Sequence, residues 1–195
     1  MPAMRRASIE ASIRENIATK QRLLESCCDE ISALCEAALA CLHAGGKLMF
    51  CGNGGSSCDA AHAAGELIGW FENKDRPGIA AIALGHEVPS LTAIGNDAGF
   101  DQIFARPLRA LGGAEDLLVG ISTSGKSANV VAAIEAAKAI GMKTASLASE
   151  QGGLVVDLVD YPVRVPSRNT ARIQESHLLV VHILCAAVED GFRPS

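Results

Sequence analysis

The chain has 195 residues, a formal net charge of −5, and 49% hydrophobic but only 4% aromatic residues. No run of Lys and Arg supplies the electrostatic footprint of a nucleic-acid binder, so any anionic ligand must be held locally by backbone N–H groups and hydroxyls. Seven cysteines without a CxxC pair or regular spacing argue against a disulfide framework and read as small buried hydrophobes in a reducing compartment.

The first element is a long amphipathic helix from about Ser8 to Ala44, carried by Ile9, Ile13, Ile17, Leu24, Cys28, Ile31, Leu34, Leu39 and Leu42 and closed by Gly45-Gly46. It either covers the sheet or packs against another subunit. Next come a short strand Lys47–Cys51, a helix from Ser57 to about Trp70, and a strand Ile79–Leu84. A strand Leu117–Ile121, a helix Ser127–Ile140, strands Lys143–Leu147 and Tyr161–Val165, and a helix from about Thr170 to Asp190 complete the pattern. Strands separated by helices imply right-handed crossovers and a parallel sheet, hence a three-layer α/β/α sandwich. One domain spans 1–195, with 1–45 used in packing or oligomerisation and 46–195 forming the sandwich. The apolar run Leu178–Val188 is interrupted by His182 and is shorter than the roughly 20 residues that span a bilayer, and no signal core follows the N-terminus, so the expected location is cytoplasmic.

Two loops fall where such sheets bind ligands, beyond the carboxyl ends of strands. Cys51-Gly52-Asn53-Gly54-Gly55-Ser56-Ser57 follows the first strand and opens a helix; it reads equally as an anion cradle or as a tight turn. Ser122-Thr123-Ser124-Gly125-Lys126-Ser127 gathers four hydroxyls before a helix N-terminus. An ordinary cap by Ser127 would employ one hydroxyl and leave three over, which favours a phosphate site. The spacing of a nucleotide P-loop is absent.

His62 and Glu66, four apart, project from one helix face; alone they could be a buried histidine with its carboxylate partner. Gln174 and His182, eight apart, lie near one face of the last helix, with His177 close enough to support them. An imidazole in the apolar Leu178–Val188 run needs a partner. Two histidines, a carboxylate and an amide oxygen form a set that zinc accepts, provided the two helices meet.

Read together, Cys51-Gly52-Asn53-Gly54-Gly55-Ser56, Ala61-His62-Ala63-Ala64-Gly65-Glu66-Leu67, Gly95-Asn96-Asp97, Gly120 to Gly125 with Ser127-Ala128-Asn129, and Arg172-Ile173-Gln174-Glu175 with His182 resemble the phosphoheptose isomerases of the sugar-isomerase (SIS) domain superfamily. The resemblance covers nearly the whole chain. It implies a flavodoxin-like doubly wound fold, a homotetramer with active sites at subunit contacts, and one zinc per subunit held by His62, Glu66, Gln174 and His182. It implies conversion of sedoheptulose 7-phosphate to D-glycero-D-manno-heptose 7-phosphate, the first step toward activated heptose for bacterial surface polysaccharide such as lipopolysaccharide. It carries substrate contacts onto Asn53, Gly54, Gly55, Ser56, Glu66, Asn96, Asp97, Ser122, Thr123, Ser124, Ser127 and Gln174, and the catalytic base and acid onto Glu66 and His182. One departure is Trp70, where these enzymes commonly carry an arginine. Two competing readings share the fold: a non-catalytic tetramer that binds the replication initiator DnaA, and an isomerase of another sugar phosphate. Retention of all four candidate ligands favours the enzyme.

Overall fold

The computed structural model describes residues 6–192. Five strands, β1 (Leu48–Gly52), β2 (Ala81–Ala83), β3 (Leu117–Ile121), β4 (Lys143–Ser149) and β5 (Tyr161–Val165), form one parallel sheet in the order β2-β1-β3-β4-β5. This is the flavodoxin-like doubly wound order, and it reverses direction at the β1/β3 boundary. The expected α/β/α sandwich is what the chain forms.

Residues of β1 and β3 are buried on both faces, which is why these segments read as continuous apolar runs rather than alternating ones. Leu48, Phe50, Leu117, Val119, Ala145 and Leu147 face a core completed by α1 (Arg6–Ser26), α2 (Cys28–His43), α3 (Gly55–Ile68) and α8 (Thr170–Gly191). Met49, Cys51, Leu118 and Ala148 face the opposite core, built with α4 (Val88–Asp97), α5 (Ala105–Leu111), α6 (Ala128–Ala139) and α7 (Leu154–Asp157). With few aromatics available, Ala, Val, Ile and Leu fill both layers.

The structure departs from the expected element list in three ways. The long N-terminal helix is two helices bent at Cys27, whose φ of −122° and ψ of 1° leave the helical region. Backbone bonds from Cys27 to Leu23 and from Ile31 to Cys27 continue across the bend, and the Cys27 thiol donates to the Arg164 carbonyl on β5 at 3.2 Å. The bend lets α2 lie on the sheet while α1 runs on over α8. Between β2 and β3 lie α4, a 3-10 turn at Phe100–Gln102, and α5; their short lengths and Pro89, Gly95, Gly99 and Pro107 erase the helical periodicity. The four-residue α7 is likewise too short to leave a pattern.

The cysteines are free, but Cys28 and Cys58 are exposed rather than buried. Helix α8 has 22 residues and is apolar and long enough to cross a membrane by length and composition, yet half of that stretch is buried inside the protein, which marks a core helix.

Candidate active site

The parallel register places Gly52 at the end of β1 beside Ile121 at the end of β3. The glycine loop and the hydroxyl loop therefore emerge side by side at the point where strand order reverses, the position at which doubly wound sheets bind ligands. A reciprocal amide pair ties the loops together: Asn53 Nδ2 donates to Asn129 Oδ1 and Asn129 Nδ2 donates to Asn53 Oδ1, both at 2.8 Å. Asn129 is buried in the first turn of α6, so the Asn53 side chain is committed to bracing the loops. The neighbouring backbone then follows Gly54, whose φ of +57° turns the chain into α3.

In the hydroxyl loop the Ser127 side chain does not cap α6. It meets the buried Ser122 hydroxyl at 2.9 Å, and Ser124 lies 3.5 Å from Ser122 and accepts from the Lys126 N–H at 3.2 Å. Hydroxyls gathered together in a loop at a helix start suit a phosphate better than a single cap does. Gly125, at φ +66°, lets the loop close against Gly152 and Gly153.

Helices α3 and α8 lie together on one face of the sheet. At the start of α3, Gly55 faces the Gln174 side chain so closely that a β-carbon would sit 2.5 Å from Nε2. Further along, His62 Nε2 meets His182 Nε2 at 2.9 Å, and Glu66 Oε1 lies 3.6 Å from His62 Nε2. Seven residues on α3 thus match eight on α8, and the two helices run in step. Gln174 stands eight residues, about 12 Å along the helix axis, from His182. The structure brings His62 against His182 and within 3.6 Å of Glu66, and sets Gln174 against the glycine loop. Among the described residues no group of three or more His, Cys, Asp or Glu side chains is arranged to hold a metal ion. The donor chemistry is nonetheless suited to zinc, because two imidazole nitrogens converge with a carboxylate alongside.

Asn96 and Asp97 close α4, exposed, with Asn96 donating to Asp97 at 2.7 Å. His177 does not support His182. Five residues away on α8, it is fully buried and its Nε2 lies 3.3 Å from the Ala148 carbonyl, while its Nδ1 has no partner. Burial lowers its pKa to about 4, so it is a neutral structural ring.

Several residues near the site carry no motif. The Phe71 ring lies 5.6 Å from the His182 ring. His86, after β2, meets the Ser57 hydroxyl at 3.2 Å. Asp59, one turn before His62, has a buried oxygen without a partner, and burial raises its pKa to about 6 against the pull of His62. The pairings of Phe71 and His86 span tens of residues and leave no spacing to read.

The SIS domain family matches residues 13–149. A phosphoheptose isomerase of Campylobacter jejuni is 48% identical over 159 residues, covering 82% of this chain and 83% of its own length. The chain belongs to the phosphoheptose isomerases of the SIS domain family.

Among solved structures, the phosphoheptose isomerase of Francisella tularensis superposes with a TM-score of 0.91 at 38% identity, covering 94% of this chain and 97% of its own. That of Neisseria gonorrhoeae gives 0.87 at 42% identity, with coverage of 93% and 98%. Likeness of this extent makes the chain an isomerase, and it disfavours the non-catalytic scaffold. A phosphoheptose isomerase needs an anion anchor and a proton-transfer pair, and the two loops and the His62–Glu66–His182 group supply candidates for both.

Proposed function

We propose that the protein isomerises sedoheptulose 7-phosphate to D-glycero-D-manno-heptose 7-phosphate through an enediol. The observation that carries this reading is the meeting of His62, Glu66 and His182 on two helices, one of which opens at the paired anion loops. The phosphate is held by the N–H groups of Gly54 and Gly55 and by Ser56, Ser122, Thr123, Ser124 and Ser127, with Asn53 bracing the loop. Gln174, Asn96 and Asp97 contact the sugar.

Ketose-to-aldose conversion moves a proton from C1 to C2. Glu66 takes the C1 proton, and His182 protonates the C2 oxygen to give the enediol. Return of the proton to C2 and loss of the O1 proton completes the aldose. His62 and His182, with Glu66 beside His62, would hold one zinc ion, which when bound polarises the carbonyl, while Gln174 stands apart from them beside Gly55.

The protein acts in the cytoplasm, in activated heptose synthesis for lipopolysaccharide. It works as a homotetramer; the exposed Ile9, Ile13, Ile17 and Leu24 on α1 support a subunit contact there.

Incubation of purified protein with sedoheptulose 7-phosphate, with and without a chelator, tests the reading. A heptose aldehyde product that disappears on chelation supports it. Absence of product alongside turnover of a different ketose phosphate would replace it with that substrate.

A further inference from the structure

Among the described residues, the most heavily bonded charged pair lies next to the proposed proton-transfer residues. Arg76 Nε and Glu189 Oε2 meet at 2.6 Å with side chains only 2% and 3% exposed. Burying two charges is costly unless their remaining hydrogen-bonding capacity is met, and here it is met by the chain around the site. Glu189 accepts from the N–H groups of Phe71, Glu72 and Asn73 at 3.2, 3.0 and 2.5 Å. Arg76 donates to the Glu66 carbonyl at 2.7 Å and to the Leu67 carbonyl at 2.9 Å, and to Gly69 and Pro77 beyond them.

One half of this network ends on Glu66 and the other on Phe71, the ring neighbour of His182. The Arg76 guanidinium grips the last turn of α3 at Glu66 itself. Glu189 is seven residues beyond His182 on α8, two turns along the same face, and it fixes the backbone of Phe71, whose ring lies against the His182 ring. Burial would raise the Glu189 carboxyl, but Arg76 and the three N–H donors bring it down to about 2, so the clamp stays charged throughout the neutral range.

We propose that Arg76 and Glu189 are positioning residues: they lock the α3 end to α8 and the 71–73 segment, fixing Glu66 relative to His182 and holding Phe71 over the imidazole. This rests on Glu66 and His182 being the reacting pair. A structural staple would serve any part of the fold equally, whereas this one joins the two helices at the point of chemistry and leaves the phosphate loops untouched.

The test uses Glu189→Gln, which keeps shape and one acceptor, and Phe71→Leu, which keeps the ion pair but removes the ring. Both are assayed as full-length protein with sedoheptulose 7-phosphate, and folding is followed by circular dichroism and thermal melting. The expected result is a kcat lowered about 10- to 100-fold with KM within about threefold of wild type, as misplaced reacting groups on an intact phosphate anchor predict. Because Glu189→Gln strips the partner from a buried arginine, loss of its fold shifts the decision to Phe71→Leu, which leaves that pair in place. Folded Phe71→Leu with wild-type kcat overturns the proposal, as does activity in either variant that falls only in proportion to the unfolded fraction. Failure of the wild-type chain to turn over sedoheptulose 7-phosphate or any other ketose phosphate removes the reading of the reacting pair on which the proposal stands, an outcome visible before any variant is made.

Discussion

Gly125 and Gly152 are packed backbone against backbone: a β-carbon on Gly125 would overlap the Gly152 carbonyl oxygen. The Val155 N–H donates to the Gly125 carbonyl at 3.2 Å from the same side, so the hydroxyl loop is seated on the loop that leads into α7. Gly125→Ala meets both a backbone clash and a left-handed φ of +66°. The expected cost is more than about 2 kcal/mol, measurable as a lowered urea midpoint. Loss of phosphate binding should accompany it.

Gly55→Ala has a different outcome. The new methyl would meet the Gln174 side chain, 2.5 Å from Nε2, and not a backbone atom. A side-chain end can swing away, so the melting temperature should stay near wild type while the amide loses its place beside the glycine loop. KM for the sugar phosphate should rise about tenfold, the effect of roughly one lost hydrogen bond. An unchanged KM would show that Gln174 does not touch substrate.

Glu66→Gln preserves size and removes the basic oxygen. Loss of a general base lowers kcat by about 100- to 10,000-fold. Inorganic phosphate, titrated by calorimetry, should bind the variant as it binds wild type, because the anion loops are separate from Glu66. Turnover at the wild-type rate would remove Glu66 from the mechanism.

His177 gives stability a pH dependence. Burial lowers its pKa from 6.5 to about 4, so the folded state holds the neutral ring while the unfolded chain takes up a proton below 6.5. Its contribution is complete above about 6.5 and is lost as pH falls toward 4. Asp59, raised from 3.8 to about 6, acts with the opposite sign, favouring the folded state at the acid end of its window. The comparison is therefore between wild type and His177→Gln: the variant's urea midpoint should decline less between pH 6.5 and 4. Parallel profiles would exclude this role for His177.

The sheet is legible because its strands are short, β-prone segments set between helical stretches, and the boundaries of Leu117–Ile121 and Tyr161–Val165 read from the sequence are those of β3 and β5. The same physics hid α4 and α5, where proline and glycine interrupt the helical repeat. In the site, the i,i+4 pair His62 and Glu66 and the lone imidazole in an apolar run could be read directly. How α8 is set against α3 could not, since spacing within a helix says nothing of its register with another. That register decides that His182 meets His62 and that Gln174 meets Gly55. Asn53 with Asn129, 76 residues apart, and Arg76 with Glu189, 113 apart, are pairings of the same kind.

Helix α3 begins at the glycine loop and carries Glu66 eleven residues beyond Gly55, about 16 Å along a rigid rod. On the proposed function it is a ruler between the anchored end of a ligand and the end that reacts. Inserting one residue before His62 would lengthen the rod by only about 1.5 Å but swing both side chains through about 100°. Evolution of this scaffold toward shorter or longer sugars must leave the length of α3 alone and change what lines the gap.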